Sequence, residues 1–197
     1  MTRRRLAVLL VSVIGLIVAG ALAWRLAVSE AEPPPAAVGG PFELVDQDGR
    51  AASESVLKGK WSAIFFGFTY CPDVCPTTLQ ALNAAADQLG PRAKDFQIVF
   101  VSVDPGRDTP RQVKAYLAAQ NLRAGTIGLT GSPDQVAAAA KTYRVYYQQV
   151  GEGDGYTVNH STAAYLMDPK GRFDRVFGYG MTPDQMADQI ATAMRGG

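Results

Sequence analysis

Ser62-Ala63-Ile64-Phe65-Phe66-Gly67-Phe68-Thr69-Tyr70-Cys71-Pro72-Asp73-Val74-Cys75-Pro76 runs from an apolar, aromatic stretch into a proline-flanked pair of cysteines. Between Ser62 and Thr69 apolar and polar residues barely alternate, which predicts a central strand covered on both faces. A helix is predicted next. Leu79, Leu82, Ala86 and Leu89 recur at helical spacing after Pro76, and Gly90 supplies a stop. A regular helix beginning at Pro72 would need an N–H from residue 76, and proline has none. The regular helix is therefore expected to start at Pro76. Cys71 to Cys75 then form a tight turn at its entrance, at the carboxyl end of a strand, with both sulfurs partly exposed.

The same alternation extends in both directions. Phe42-Glu43-Leu44-Val45 followed by Asp48-Gly49 predicts a strand and a turn, and Phe96 to Val103 a second buried strand. Thr109-Pro110 opens a helix with proline at its first position. Ser132-Pro133-Asp134-Gln135 and Thr182-Pro183-Asp184-Gln185 both match a capping box with proline behind the cap. Ala163 to Met167 and Arg172 to Phe177 flank Asp168-Pro169-Lys170-Gly171, a hairpin signal. A strand around Tyr146 to Val150 stays open. The resulting order, β-β-α-β-α-β-α-β-β-α, predicts a layered α/β domain with helices flanking a mixed sheet. A thioredoxin-like fold is the natural candidate.

With 197 residues, 47% of them hydrophobic, the chain can build one domain with a substantial core. Its formal charge of +1 is unevenly placed: Arg3, Arg4, Arg5 and Arg25 fall before residue 30, and no acid does. The remaining 15 basic residues face 18 acidic ones, so no basic face is implied and nucleic acid is excluded as a partner. Arg3-Arg4-Arg5 precedes an uncharged run from Leu6 to Trp24, close to the ~20 apolar residues that cross a bilayer. Arginines stay on the cytoplasmic side, which sends the rest of the chain outward. Residues 1–28 therefore read as a basic tip and transmembrane anchor, with a cleavable signal peptide as the competing reading. Either way the domain lies outside the cytoplasm. No cysteine follows the apolar run, so a bacterial lipoprotein anchor is excluded. Residues 29–41 include Pro33-Pro34-Pro35 and Gly39-Gly40-Pro41, a semi-rigid linker. Residues 42–197 form the domain.

Cys71 and Cys75 are the only cysteines in the chain and His160 the only histidine. The C-x3-C spacing differs from the C-x2-C of thioredoxin-type redox sites. Two cysteines outside the cytoplasm most often make a structural disulfide. Here the closed loop would be very small and would constrain little chain entropy. A turn after a buried strand, at a helix N-terminus that lowers thiol pKa, suits chemistry better. Two thiols and an imidazole form a soft, low-coordinate donor set that fits copper better than oxygen-seeking ions. Zinc would normally take four ligands in a structural site and is disfavoured. A lone histidine is by itself more often a surface or core residue than a ligand.

Gly67-Phe68-Thr69-Tyr70-Cys71-Pro72-Asp73-Val74-Cys75-Pro76 resembles the signature of the Sco/SenC family, copper-binding assembly factors for cytochrome c oxidase. Val101-Ser102-Val103-Asp104-Pro105-Gly106-Arg107-Asp108-Thr109-Pro110 matches as well. So do Leu129-Thr130-Gly131, Tyr143-Arg144-Val145-Tyr146-Tyr147 and Tyr156-Thr157-Val158-Asn159-His160-Ser161. The resemblance runs from about Phe42 to the C-terminus. It implies that Cys71, Cys75 and His160 are the metal ligands. It also implies that Asp104 is a supporting group, with a plain turn aspartate before Pro105 as the even alternative. Many relatives have histidine immediately before the first cysteine, where this chain has Tyr70.

Three functions are compatible with these residues. The resemblance implies a copper metallochaperone for the binuclear copper site of cytochrome c oxidase subunit II, in a single-pass protein of the bacterial inner membrane with its domain in the periplasm. Another periplasmic copper carrier or a thiol reductant is then expected as a second partner. The runner-up is a thiol–disulfide oxidoreductase that keeps the target's cysteines reduced through Cys71 and Cys75. A peroxidase is the third. His160 discriminates, because thiol exchange needs no distant imidazole whereas the copper site does.

Overall fold

The structure is a computed structural model and describes Val13, Gly15, Ile17 and residues 38–196. The expected anchor and most of the expected linker lie outside the described residues. Among the described residues no helix is long and apolar enough to cross a membrane. The folded unit takes in the chain from Val38 onward. Gly39 is already tied to it, its N–H donating to the Thr142 carbonyl at 3.1 Å.

Seven strands form the main sheet: β1 (Glu43–Asp46), β2 (Ala51–Ser53), β3 (Trp61–Gly67), β4 (Phe96–Ser102), β5 (Ile127–Thr130), β8 (Ala164–Met167) and β9 (Phe173–Phe177). Their spatial order is β2-β1-β5-β4-β3-β8-β9. β3, β4 and β5 run parallel, and the flanking strands pair antiparallel. All residues of β3 and β4 are buried, as mostly apolar strands covered on both faces require, and their polar members Ser62, Gln97 and Ser102 are buried with them. The expected mixed, thioredoxin-like α/β layering is what forms.

Four helices complete the layers: α1 (Val74–Gln88), α2 (Pro110–Ala119), α3 (Pro133–Thr142) and α4 (Pro183–Gly196). Three start where their caps predict. The Thr109 hydroxyl accepts the Gln112 N–H at 3.3 Å, and Ser132 and Gln135 exchange both bonds of a capping box, as do Thr182 and Gln185. Gly90 adopts a φ of +57° just after α1, a left-handed conformation that ends the helix without steric cost.

The start of α1 differs from expectation. It begins at Val74, not Pro76, so Cys75 belongs to the first helical turn. Pro76 is tolerated there because the first N–H groups of a helix have no intrahelical partner. Burial corrects the second half of that reading too: Cys71 is half-buried, but Cys75 is fully buried in the core. The open strand near Tyr146 also resolves differently. Tyr147–Val150 is a strand, β6, but it pairs with β7 (Thr157–His160) in a separate two-stranded sheet. β7 and β2 had no sequence signal of their own.

Candidate metal centre

Strand β3 ends at Gly67, and the backbone then turns under tight hydrogen-bond control. The N–H and hydroxyl of Thr69 both donate to Asp108, at 2.9 and 2.6 Å. The Cys71 N–H donates to the Phe68 carbonyl at 3.2 Å. Entry into α1 points the Cys75 N–H at Cys71 Sγ, 3.4 Å away. The positive end of a helix thus faces the first sulfur.

His160 reaches the same place from the end of β7, 85 residues further along the chain, with Nε2 3.4 Å from Cys75 Sγ. Its Nδ1 lies 2.8 Å from the Ser161 carbonyl, which can only accept, so Nδ1 carries the proton. Nε2 is left with its lone pair directed at the sulfurs. Phe65 and Phe68 meet the imidazole edge-on, with ring centroids 6.1 and 5.7 Å away, and fix its plane. The donor atoms of Cys71, Cys75 and His160 all lie within 4.8 Å of one another, an arrangement able to hold a metal ion.

The two thiols are electrostatically unequal. Cys71 is lowered to about 4, first by its hydrogen bond from the Cys75 thiol and further by the backbone at Cys75 and Asp73, against the opposing effect of burial. Cys75 is raised, because its proton is shared with Cys71 and because a thiolate in the core is poorly solvated. Near neutral pH the reduced pair therefore holds one proton.

Gly67 makes room for this arrangement. A Cβ there would sit 2.7 Å from Cys75 Sγ and 3.1 Å from both Phe65 and Phe100. The Cys75 sulfur occupies the volume that a side chain at the end of β3 would fill.

Asp104 is not one of the converging donors. It is buried, and its carboxylate accepts from Arg107 Nε at 2.7 Å and from the Tyr156 hydroxyl at 2.5 Å. Its place is between the β4 loop and the strand that bears His160. The sequence reading missed Asp108. It has no exposed surface and accepts from Thr69 twice and from Ser102 Oγ at 2.6 Å. Burial raises its pKa above the ordinary aspartate value, with these hydrogen bonds acting against that. The available signal was Ser102 at the end of the mostly apolar strand β4, together with an aspartate next to a Thr109 that already caps α2.

The sequence model of the family described as SCO1/SenC matches residues 30–195. The chain is 43% identical over 162 residues to Protein SCO1 homolog 1, mitochondrial, of Arabidopsis thaliana, covering 81% of this chain and 48% of that protein. It is 42% identical over 156 residues to Protein SenC of Rhodobacter capsulatus, covering 79% of this chain and 70% of that protein. The chain thus spans about half the length of the Arabidopsis relative. The crystal structure of Arabidopsis ScoI with copper bound superposes with a TM-score of 0.77 at 42% identity, over 82% of this chain and all of that one. BsSco, a member of the Sco family of cytochrome c oxidase assembly proteins in which a disulfide switch is identified, superposes with a TM-score of 0.64 at 28% identity, over 83% of this chain and 95% of that one. Matched over most of its length, and carrying two thiols and an imidazole drawn together at the end of a central strand, the chain belongs to the SCO1/SenC family.

Proposed function

We propose that this protein carries copper, held by Cys71, Cys75 and His160, and delivers it to the binuclear copper site of cytochrome c oxidase subunit II. One observation carries the proposal: three soft donors from two distant parts of the chain converge within 4.8 Å. Two thiolates and an imidazole suit copper(I) in a three-coordinate site. His160 has its outer nitrogen bonded to a carbonyl, the arrangement that orients a ligating histidine. The copper in the Arabidopsis relative and the place of BsSco among oxidase assembly proteins support cargo and destination.

A calorimetric titration of the reduced full chain with copper(I) tests this. Binding of about one copper per chain is expected, abolished in Cys71→Ser and in Cys75→Ser. Metal binding displaces ligand protons, and the coupling of the two thiols lowers the pKa of Cys71 while raising that of Cys75, which favours one retained proton on Cys75. Repeating the titration in buffers of different ionisation enthalpy should return about one proton per metal, from Cys75. The affinity should then rise about tenfold per pH unit between pH 7 and 9, as one displaced proton requires. Two thiols each releasing a proton at pH 7 would contradict the asymmetric pair, and tight binding to either cysteine variant would rule out the site.

A second reading has a specific observation behind it. An accessible, acidic Cys71 beside a buried, proton-holding Cys75 is an attacking and a resolving thiol. The pair would then also keep the oxidase cysteines reduced, drawing electrons from a thiol reductant. The two roles are compatible, because copper(I) binding requires the reduced pair.

The domain is proposed to face the periplasm from a single-pass inner-membrane anchor. The support is Arg3-Arg4-Arg5 ahead of the uncharged run to Trp24. Protease added to intact spheroplasts should digest the domain. Protection until lysis would sink this topology.

A further inference from the structure

The turn after β3 and the first turn of α1 supply two donors, and the hairpin β6–β7, which forms its own sheet, supplies the third. Arg107 lies between these two pieces. Its Nε donates to Asp104 at 2.7 Å, and one terminal nitrogen donates to the Tyr156 carbonyl at 2.9 Å. The guanidinium Cζ lies over the Tyr156 ring, 3.6 Å from its centroid, and over the Tyr70 ring, 4.7 Å from its centroid. Tyr156 is the residue before β7, the strand that ends in His160. Tyr70 is the residue before Cys71. The Arg107 side chain is only 16% exposed, and a cation held against aromatic rings largely out of water sits at the stronger end of the cation–π range.

We propose that Arg107 is a positioning residue of the metal centre, clamping the cysteine turn to the histidine hairpin so that the third donor is held in place before metal arrives. The inference rests on the three-donor reading above. A plain structural role would be to neutralise Asp104, and any cation in that position would serve. Joining turn to hairpin is different. It requires a planar group that hydrogen-bonds to one tyrosine backbone while lying against two rings, and lysine cannot do this. Arg107→Lys therefore separates the roles, because it keeps a positive charge for the buried carboxylate and removes the fork. Tyr70→Leu removes one end of the clamp from a residue that is 55% exposed, where folding is not at stake.

The experiment compares the full chain with Arg107→Lys, Tyr70→Leu, His160→Ala and the Arg107→Lys/His160→Ala double variant. Copper(I) affinity is measured by chelator competition, and the copper(II) form by its absorption spectrum. Amide hydrogen exchange is followed in the metal-free protein. Arg107→Lys and Tyr70→Leu should each weaken copper(I) binding on the order of 10–100-fold, the usual effect of removing an outer partner of a ligand. Their copper(II) spectra should shift toward that of His160→Ala. Exchange in β7 should quicken while β3 and β4 stay protected, marking a local opening. Once His160 is gone, Arg107→Lys should cost nothing more, since the two then act through one donor. Unchanged affinity, spectrum and β7 exchange in Arg107→Lys would overturn the clamp, as would an undiminished extra loss in the double variant. Faster exchange throughout β3 and β4 would overturn it too, as general destabilisation. A wild-type chain that binds no copper would overturn the three-donor site instead, while the exchange data still decide whether Arg107 holds the hairpin.

Discussion

Replacing His160 with alanine is expected to abolish maturation of the oxidase in cells while thiol–disulfide exchange by the purified protein continues near its wild-type rate. The variant removes one of three converging donors. The loss of copper affinity should therefore exceed the ~10–100-fold typical of outer partners. The exchange chemistry is spared because the largest cause of Cys71 acidity is the neighbouring Cys75 thiol, which remains. Oxidase activity and copper content of membranes from the variant strain check the expectation. Excess copper in the medium should restore part of the activity, since mass action offsets weaker binding. Normal oxidase in the His160→Ala strain, with loss in either cysteine variant, would move the function to the reductase reading.

Gly67→Ala is expected to damage the centre without touching a donor. The added methyl would meet Cys75 Sγ at 2.7 Å and the Phe65 and Phe100 rings at 3.1 Å. The strand cannot easily retreat, because β3 is hydrogen-bonded to β4 on one side and β8 on the other. The sulfur must therefore give way. Overpacking of this kind costs about 1–3 kcal/mol, measurable by denaturant unfolding, and the displaced thiol should lose copper as well. Ala85→Val on α1, another buried position, provides the control: comparable destabilisation with copper binding retained. A folded Gly67→Ala chain with wild-type copper affinity would show that the sulfur does not depend on this space.

Much of the fold was legible because its signals are local. Mostly apolar runs gave β3 and β4, and the caps at Thr109, Ser132 and Thr182 act on N–H groups three residues away. The hairpin that carries His160 was not legible. Gln148, Gln149 and Val150 are exposed, so β6 lacks the alternation of a half-buried strand, and only pairing with β7 holds it extended. The donors themselves could be named from residue type and resemblance. Their burial could not, because proline is acceptable both at the first position of a helix and elsewhere in its first turn. Only packing against Gly67 decides that Cys75 is inside. Asp108 was legible only in part: Ser102 lies six residues away, but its other partner, Thr69, is 39 residues away, beyond the reach of a local pattern.

On the delivery role proposed above, the separate hairpin has a consequence for how copper would leave. An acceptor arriving from solvent meets His160, which is partly exposed on a strand paired only to β6, and Cys71, which is half-buried. Cys75 has no exposed surface. Incoming ligands can displace the imidazole by a shift of one small ribbon, and then Cys71, but the last bond to break must be the one to Cys75. In that role the architecture would order the exchange, with the ion tethered by its deepest sulfur until the receiving site already holds it.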